Sequence, residues 1–139
     1  MIQRMVSPGQ FENLEKISNF VKKAARNAGF NDFLTYTIET AVDEACSNII
    51  EHAYGDHSGG DIEITILESV DRLTITLKDS GQPFNPNLVK TPYLGINIDD
   101  RQDHGLGIYM MRQWMDSVEY SSIDGFNVLT LIKNKVDSS

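Results

Sequence analysis

Apolar residues recur at three- and four-residue steps in two stretches of the N-terminal half, which is the spacing of one face of an α-helix. In the first stretch these positions are Leu14, Ile17, Val21, Ala24 and Ala28. In the second they are Leu34, Ile38, Ala41, Val42, Ala45 and Ile49. Residues 7–10, Ser-Pro-Gly-Gln, have the form of a capping box, so we expect the first helix to begin there and to end at Gly29. The second helix is expected to run from Asn31 or Asp32 to about Tyr54.

Beyond these helices the period of the apolar residues changes to two. The alternating apolar positions are Ile62, Ile64 and Ile66, followed by Leu73, Ile75 and Leu77. They predict an antiparallel hairpin with one buried face. Two more strands are predicted at Val118–Ser121 and Phe126–Lys133, joined across the turn dipeptide Asp124-Gly125. Residues 105–115 are expected to form a third helix.

Residues 85–103 have no apolar periodicity and are rich in proline, asparagine and aspartate. A stretch of that length inside a compact domain is usually a functional lid or a disordered loop. The helices and strands together predict an α+β fold, a two-layer α/β sandwich with the helices on one face of an antiparallel or mixed sheet. We expect residues 1–139 to form a single domain.

The chain is acidic, with 20 Asp and Glu against 12 Lys and Arg and a net charge of −8. Such a charge repels a phosphate backbone, so we do not expect direct nucleic-acid binding. The single cysteine, Cys46, excludes an internal disulfide framework and a multi-cysteine zinc site. No apolar run suggests a signal peptide or a membrane span, and the expected location is the cytoplasm.

Several common active sites are absent from the sequence. It contains neither a P-loop motif nor the H-R-D and D-F-G motifs of ordinary protein kinases. The G-x-G at Gly105 and Gly107 lacks the third glycine of a dinucleotide fingerprint. The three histidines are too scattered to suggest a zinc triad.

Three short polar stretches could carry chemistry. Glu44 and Asn48 lie one turn apart on the second helix, where a carboxylate could accept a proton and an amide oxygen could ligate Mg²⁺. The alternative, which this spacing alone favours, is that both simply face solvent. Asp79 and Gly81 follow the second strand of the hairpin, and a carboxylate there could bind the exocyclic amine of adenine or belong to an ordinary turn. Residues 104–108, His-Gly-Leu-Gly-Ile, open the third helix, where N–H groups favour an anion, or they form only a flexible junction between loop and helix.

The order of these stretches resembles the GHKL ATPase superfamily and, within it, the bacterial anti-sigma factor serine kinases. The stretch AVDEACSNIIEHAYG is similar to their N-box, DSGQPFNP to their first glycine box, and HGLGIYMMRQWMDSVEY to their second glycine box with the following helix and strand. The resemblance extends from about Ser7 to Lys133. It implies a Bergerat-type sandwich with a mixed, mostly antiparallel sheet and a long ATP lid at about residues 85–104.

The resemblance also implies a role for individual residues, because proteins of this family bind ATP and Mg²⁺ between the helix layer and the lid. Asn48 would ligate Mg²⁺, and Glu44 would be the general base that takes the proton from a serine hydroxyl. Asp79 would contact the adenine amine, and Gly81 would let the base approach.

The second glycine box would bind the phosphates through its N–H groups, at Gly105, Leu106 and Gly107. The chain departs from the family in three places. His104 stands where another glycine is common, and Phe126 or Asn127 stands where a threonine is common. The strand that usually precedes the first helix is reduced to Ile2–Val6 at most.

In this family the phosphate acceptor is a serine on an anti-anti-sigma (STAS-type) protein, the same surface binds a sigma factor, and the kinase is typically a homodimer. We therefore expect an ATP- and Mg²⁺-dependent serine/threonine kinase with no membrane partner. The alternative is a nucleotide-gated binding regulator without kinase turnover, whose acidic surface engages a basic partner helix. The ATPase half of a histidine kinase fits less well, because 139 residues leave no room for a phosphoacceptor hairpin.

Overall fold

The computed structural model describes residues 1–55, 60–88 and 103–135. Its strands are β1 (Ile2–Pro8), β2 (Asp61–Glu68), β3 (Arg72–Asp79), β4 (Ser117–Ile123) and β5 (Phe126–Asn134). Its α-helices are α1 (Leu14–Asn27), α2 (Asp32–Asn48) and α3 (Asp103–Trp114). The strands form one sheet in the order β1-β2-β3-β5-β4, and every described pairing is antiparallel. The predicted α+β fold is confirmed, and the described sheet is antiparallel rather than mixed.

The core lies between the inner face of the sheet and the helices. The alternating apolar residues of β2, β3 and β5 are buried: Ile62, Ile64, Ile66, Leu73, Ile75, Leu77, Leu129 and Leu131. They pack in one cluster with helical residues that include Ile17, Val21, Ile38, Val42, Ile108 and Met111. Each such side chain contributes about 1.5–3 kcal/mol by leaving water, which makes this layer the main source of stability. Helix α2 is central because it packs against both α1 and α3.

The C-terminal end of α1 and the start of α2 lie where the sequence predicts them. Gly29 adopts φ 99° after α1. Its N–H donates to Arg26 and the N–H of Phe30 donates to Ala25, which together form a Schellman motif. Asn31 then caps α2 by accepting a 2.8 Å hydrogen bond from the N–H of Leu34.

The predicted helix start at residues 7–10 is wrong. Ser7 and Pro8 are the last residues of β1, a full seven-residue strand that pairs along the whole of β2. Helix α1 begins only at Leu14, after a short 3₁₀ turn. The sequence pattern misleads because Ile2 and Val6 face outward, with 67% and 51% exposure, while Ser7 is fully buried.

Helix α2 changes its hydrogen-bond pattern at Asn48. Residues Ile49–Tyr54 continue it as a π-helix, here called the π segment, which ends at Gly55 with φ 59°. The N–H of Gly55 closes it by donating to the carbonyl of Ile50. The predicted helical extent to about Tyr54 is confirmed, and π-helical turns of this kind are frequent at functional sites.

The second hairpin is confirmed across its predicted turn. Asp124 and Gly125 both adopt positive φ, 54° and 81°, as the two central residues of a type I′ turn require. No helix in the described ranges of the chain is long and apolar enough to cross a membrane.

Candidate functional site

A small cavity lies where β3 ends, β5 begins and α2 passes into the π segment. Its lining residues are Ala45, Asn48, Ile49, Ala53, Asp79, Phe84, Pro86, Tyr120 and Leu129. The cavity measures about 20 Å³, which is room for about one water molecule. Two of the predicted site residues, Asn48 and Asp79, therefore face one space although they lie on different layers of the fold.

Asn48 is the least satisfied polar side chain at this cavity. It is only 3% exposed, and neither its Oδ1 nor its Nδ2 atom has a hydrogen-bond partner among the described residues. A buried polar group without a partner costs about 1–3 kcal/mol, so such groups are rare unless a ligand completes them. An unpartnered amide oxygen is a suitable neutral ligand for Mg²⁺.

Asp79, the last residue of β3, is 5% exposed and lines the same cavity. Its Oδ1 atom accepts hydrogen bonds from the N–H of Gly81 and from the amide of Asn127, each at 2.9 Å. Burial raises the pKa of Asp79, and these two hydrogen bonds oppose the rise by favouring the charged form.

Asn127 connects the cavity to the edge of the sheet. It stands opposite Asp79 in the β3–β5 register and opposite Ser122 in the β4–β5 register. Its Oδ1 atom accepts from the hydroxyls of Tyr120 at 3.0 Å and Ser122 at 2.8 Å. At the position where a threonine is common in the family, the polar side chain of this protein is therefore the amide of Asn127.

Gly81 permits a close approach between two backbone segments. A Cβ atom at this position would lie 2.4 Å from the carbonyl oxygen of Ala53. That same carbonyl accepts a 2.7 Å hydrogen bond from the N–H of Gln82, and the hydroxyl of Tyr54 accepts from the N–H of Ser80. Gly81 thus fixes the turn after β3 against the π segment, whereas its predicted role in letting the base approach stays a prediction.

Glu44 lies one turn before Asn48 and packs against α3. Its Oε1 atom is buried. A Cβ atom on Gly107 would lie 2.1 Å from the Cδ and Oε1 atoms of Glu44, so the carboxylate occupies the space that this glycine leaves open. The N-box helix and the second glycine box, 63 positions apart at these residues, meet directly at this contact.

The cavity is closed on one side by residues 82–88, here called the cover segment. The ring of Phe84 stacks on His52 of the π segment, with centroids 4.4 Å apart. The N–H of Phe84 donates to the hydroxyl of Tyr120 at 3.0 Å, and Asn87 donates to the carbonyl of Val118 at 2.9 Å. These contacts join the cover segment to both the π segment and β4.

The predicted phosphate-binding residues lie at the start of α3. Gly105 and Leu106 are in its first turn, where N–H groups lack partners within a helix. Gly107 follows that turn, and its contact with Glu44 is a feature of the structure. Phosphate binding by Gly105, Leu106 and Gly107 stays a prediction. Most of the predicted lid, residues 89–102, lies outside the described residues.

No group of three or more His, Cys, Asp or Glu residues in the described part of the chain could hold a metal ion by itself. A cation at Asn48 would need most of its ligands from elsewhere, and the oxygens of a nucleotide's phosphates are suited to that. The donor set therefore fits Mg²⁺ only as a nucleotide complex.

Nothing in the sequence placed Tyr120 or Phe84 at the cavity, because only the strand register and the turn geometry bring them there.

The chain is similar to known proteins in both sequence and fold. Residues 8–133 match the family model of the histidine kinase-like ATPase domain. The chain is 31% identical over 131 residues to the serine-protein kinase RsbW of Bacillus mycoides, covering 90% of this chain and 80% of that protein. It is 30% identical over 106 residues to the serine/threonine-protein kinase BtrW of Bordetella bronchiseptica, covering 76% and 75%.

Two solved structures show a similar fold. The catalytic domain of the histidine kinase ThkA aligns with a TM-score of 0.56 at 16% identity, covering 96% of this chain and 98% of that one. The histidine kinase domain of the Erythrobacter litoralis blue-light activated kinase aligns with a TM-score of 0.52 at 13% identity, covering 88% of this chain and 59% of that one. The chain belongs to the histidine kinase-like ATPase family and, within it, to the group that contains RsbW and BtrW.

Proposed function

We propose that this protein is an ATP- and Mg²⁺-dependent serine/threonine protein kinase that acts as an anti-sigma regulatory factor. Its substrate would be a serine on a STAS-type anti-anti-sigma protein, and its second partner would be a sigma factor. The names of the relatives, serine-protein kinase RsbW and serine/threonine-protein kinase BtrW, support the reaction class. We further propose that it works in the cytoplasm and as a homodimer, as the family resemblance implies.

One observation supports the proposed nucleotide site: the buried, unpartnered amide of Asn48 faces the same cavity as Asp79. In the proposed complex Asn48 would ligate Mg²⁺, and Asp79 would accept a hydrogen bond from the exocyclic amine of adenine. Bound Mg²⁺ would neutralise charge on the phosphate oxygens. A base is much larger than the 20 Å³ cavity, so its entry requires the cover segment to move outward.

Glu44 is the proposed general base. Its carboxylate lies one helical turn from Asn48 and against Gly107, at the start of the segment proposed to bind the phosphates. It would accept the proton of the partner's serine hydroxyl while that oxygen bonds to the γ-phosphorus, and the bond from the γ-phosphorus to ADP would break. The chain's contribution is then mainly positioning, which is what phosphoryl transfer requires.

The site is tested by titrating the protein with ADP and Mg²⁺ in a calorimeter. Asn48→Ala should weaken Mg²⁺-dependent binding at least tenfold, and Ser47→Ala, its half-buried neighbour, serves as the matched control. If neither ADP nor ATP bound to the wild-type protein, the proposed function would be wrong.

Transfer is tested by incubating the protein with ATP and a STAS-type partner and weighing the partner by mass spectrometry. Glu44→Gln should retain ADP binding but lose transfer by about 10²–10⁴-fold, while Asp32→Asn at the exposed start of α2 should retain it. Retained transfer in Glu44→Gln would remove Glu44 from the mechanism.

A second candidate function is nucleotide-gated binding of a basic partner without phosphorylation. A groove between α1 and α2 favours it, because Glu15, Glu39 and Asp43 line that groove in an already acidic protein. The same mass measurement separates the two functions. A tight complex in which the partner never gains a phosphate would select the binding regulator.

A further inference from the structure

The side chain of Asn127 uses its complete hydrogen-bonding capacity inside the described fold. It is 3% exposed. Its Nδ2 atom donates to Oδ1 of Asp79 and to the carbonyl of Gly81, both at 2.9 Å. Its Oδ1 atom accepts from the hydroxyls of Tyr120 and Ser122. Two donors and two acceptors are the whole inventory of an amide, so no part of this side chain is left to bind a ligand.

These partners fix which way the amide points. A carboxylate and a carbonyl can only accept, so they require the Nδ2 side, whereas the two hydroxyls can donate to the Oδ1 side. A flipped amide would set its oxygen against the oxygens of Asp79 and Gly81 and lose both hydrogen bonds. The orientation of Asn127 is therefore determined by chemistry.

The hydrogen bonds run in one direction towards Asp79. The hydroxyl of Tyr120 donates to Asn127, and Asn127 donates to Asp79. Successive donors in a buried chain polarise one another, and this chain ends on a carboxylate. The arrangement favours the ionised form of Asp79, against the effect of its burial.

The same contacts leave Asp79 with one oxygen for a ligand. Oδ1 already accepts two hydrogen bonds, from Gly81 and Asn127. Oδ2 accepts none from the described part of the chain, and Asp79 lines the cavity. An ionised carboxylate oxygen is a pure acceptor, so it requires a donor on the ligand.

We propose that Asn127 is a positioning residue that selects adenine over guanine, by holding Asp79 as a carboxylate with only Oδ2 presented to the base. This inference rests on the proposed nucleotide site. Adenine carries an amino group, a donor, at the position where guanine carries a carbonyl oxygen, an acceptor. Oδ2 attracts the first and repels the second. A protonated Asp79 could donate to guanine instead, so loss of the Asn127 donor relaxes the choice of base.

Other titratable groups surround this network, and their effect on the pH dependence of binding must be separated from that of Asp79. Within the described residues they are Tyr120 on β4, His52 and Glu44 on the helical side, and Lys78, Asp61 and Glu63 on the outer side of the sheet. The phosphates of a nucleotide titrate as well. A ratio of ADP to GDP affinity removes most of these contributions, because the two ligands share the same diphosphate and differ in the base.

The test measures ADP and GDP affinity with Mg²⁺ by calorimetry, at a series of pH values on both sides of neutrality. Asn127→Leu removes the donors while keeping the branched shape and the number of side-chain heavy atoms. It should lower the preference for ADP about ten- to a hundredfold at neutral pH, the loss expected for one hydrogen bond to a charged group. The preference should return as the pH rises, because the pKa of Asp79 is higher without its donor.

Two further variants separate this role from a merely structural one. Asn127→Thr keeps one donor near Asp79 and should retain the preference to within about threefold. Ser122→Ala removes a hydrogen bond to Asn127 but none to Asp79 and should do the same. If Asn127→Leu does not fold, Asn127→Ala removes the same donors without added bulk and should lower the preference at least fivefold.

The outcomes distinguish this inference from the proposed function. An unchanged ADP preference and pH profile in a folded Asn127→Leu or Asn127→Ala variant would overturn the role of Asn127 while the nucleotide site stands. Loss of ADP and GDP binding by the same factor would also overturn it, because it would show a structural role without selectivity. A wild-type protein that binds neither nucleotide would overturn the proposed function itself.

Discussion

Replacement of Gly107 by alanine should displace the proposed general base without unfolding the protein. The new Cβ atom would lie 2.1 Å from the Cδ and Oε1 atoms of Glu44, whereas ordinary contact begins near 3.4 Å. The carboxylate must therefore retreat by roughly 1.3 Å, the difference between these two distances. A misplacement of about 1 Å can cost about 10²-fold in rate, so we expect transfer to fall by about that factor.

Binding and stability should respond much less in this variant. The atoms in conflict belong to the end of a flexible side chain, and alanine is favoured over glycine inside a helix by about 0.5–1 kcal/mol. The assay compares ADP formation in the presence of a STAS-type partner with ADP affinity and the melting temperature. Gln113→Ala, on the exposed side of the same helix, is the control.

A second substitution tests whether the loss comes from this contact. Glu44→Asp shortens the side chain, so the double variant with Gly107→Ala should lose less activity than the two single losses combined. Additive losses would mean that the contact does not couple the two residues. A wild-type rate in Gly107→Ala would refute the reasoning at its first step, because it would show that the position of the carboxylate does not matter.

Three further predictions concern stability and titration. Gly81→Ala should destabilise the fold by about 1–3 kcal/mol, since its Cβ atom would meet backbone of the π segment at 2.4 Å, and a lower melting temperature than that of Ser80→Ala would show it. Burial raises the pKa of Cys46, so the native protein should resist iodoacetamide at mildly alkaline pH and become labelled only when unfolded, as intact mass would report. Burial and the neighbouring Glu39 raise the pKa of Asp43, so the folded state binds more protons than the unfolded state and stability falls as the pH rises past the ordinary pKa. Asp43→Asn should therefore raise the melting temperature at pH 7, and the gain should vanish in acid; an equal gain at both pH values would contradict this cause.

Helices α1 and α2 and strands β2 and β3 could be predicted because their burial is one-sided. A stripe of apolar residues on α1 and α2, and strict alternation on β2 and β3, leave few other ways to bury those residues. Strand β1 could not be predicted in the same way. Its outward residues Ile2 and Val6 are apolar and its inward residue Ser7 is polar, so burial runs against hydropathy at these three positions.

The part of the site that the sequence predicts best is the pair Glu44 and Asn48, because both residues lie on one helix. The spacing of Glu44 and Asn48 places them one turn apart wherever the helix is formed, whatever surrounds it. Their environment was not predictable from that spacing. The burial of the Asn48 amide depends on the sheet beneath it, and the seat of the Glu44 carboxylate depends on a glycine in another helix.

Asn127 shows why the remainder of the site needs the tertiary structure. The turn at Asp124 and Gly125 sets the register of β5 against β4, and therefore predicts that Asn127 stands near Ser122. Nothing in that local signal states that β5 inserts beside β3, which is the step in the strand order that brings Asn127 opposite Asp79. Because the side-chain period of a strand is two, a slip of one residue would turn Phe126 or Val128 toward the carboxylate and leave it without its donor. The choice of base proposed here is thus decided by the register of two strands that are distant in sequence.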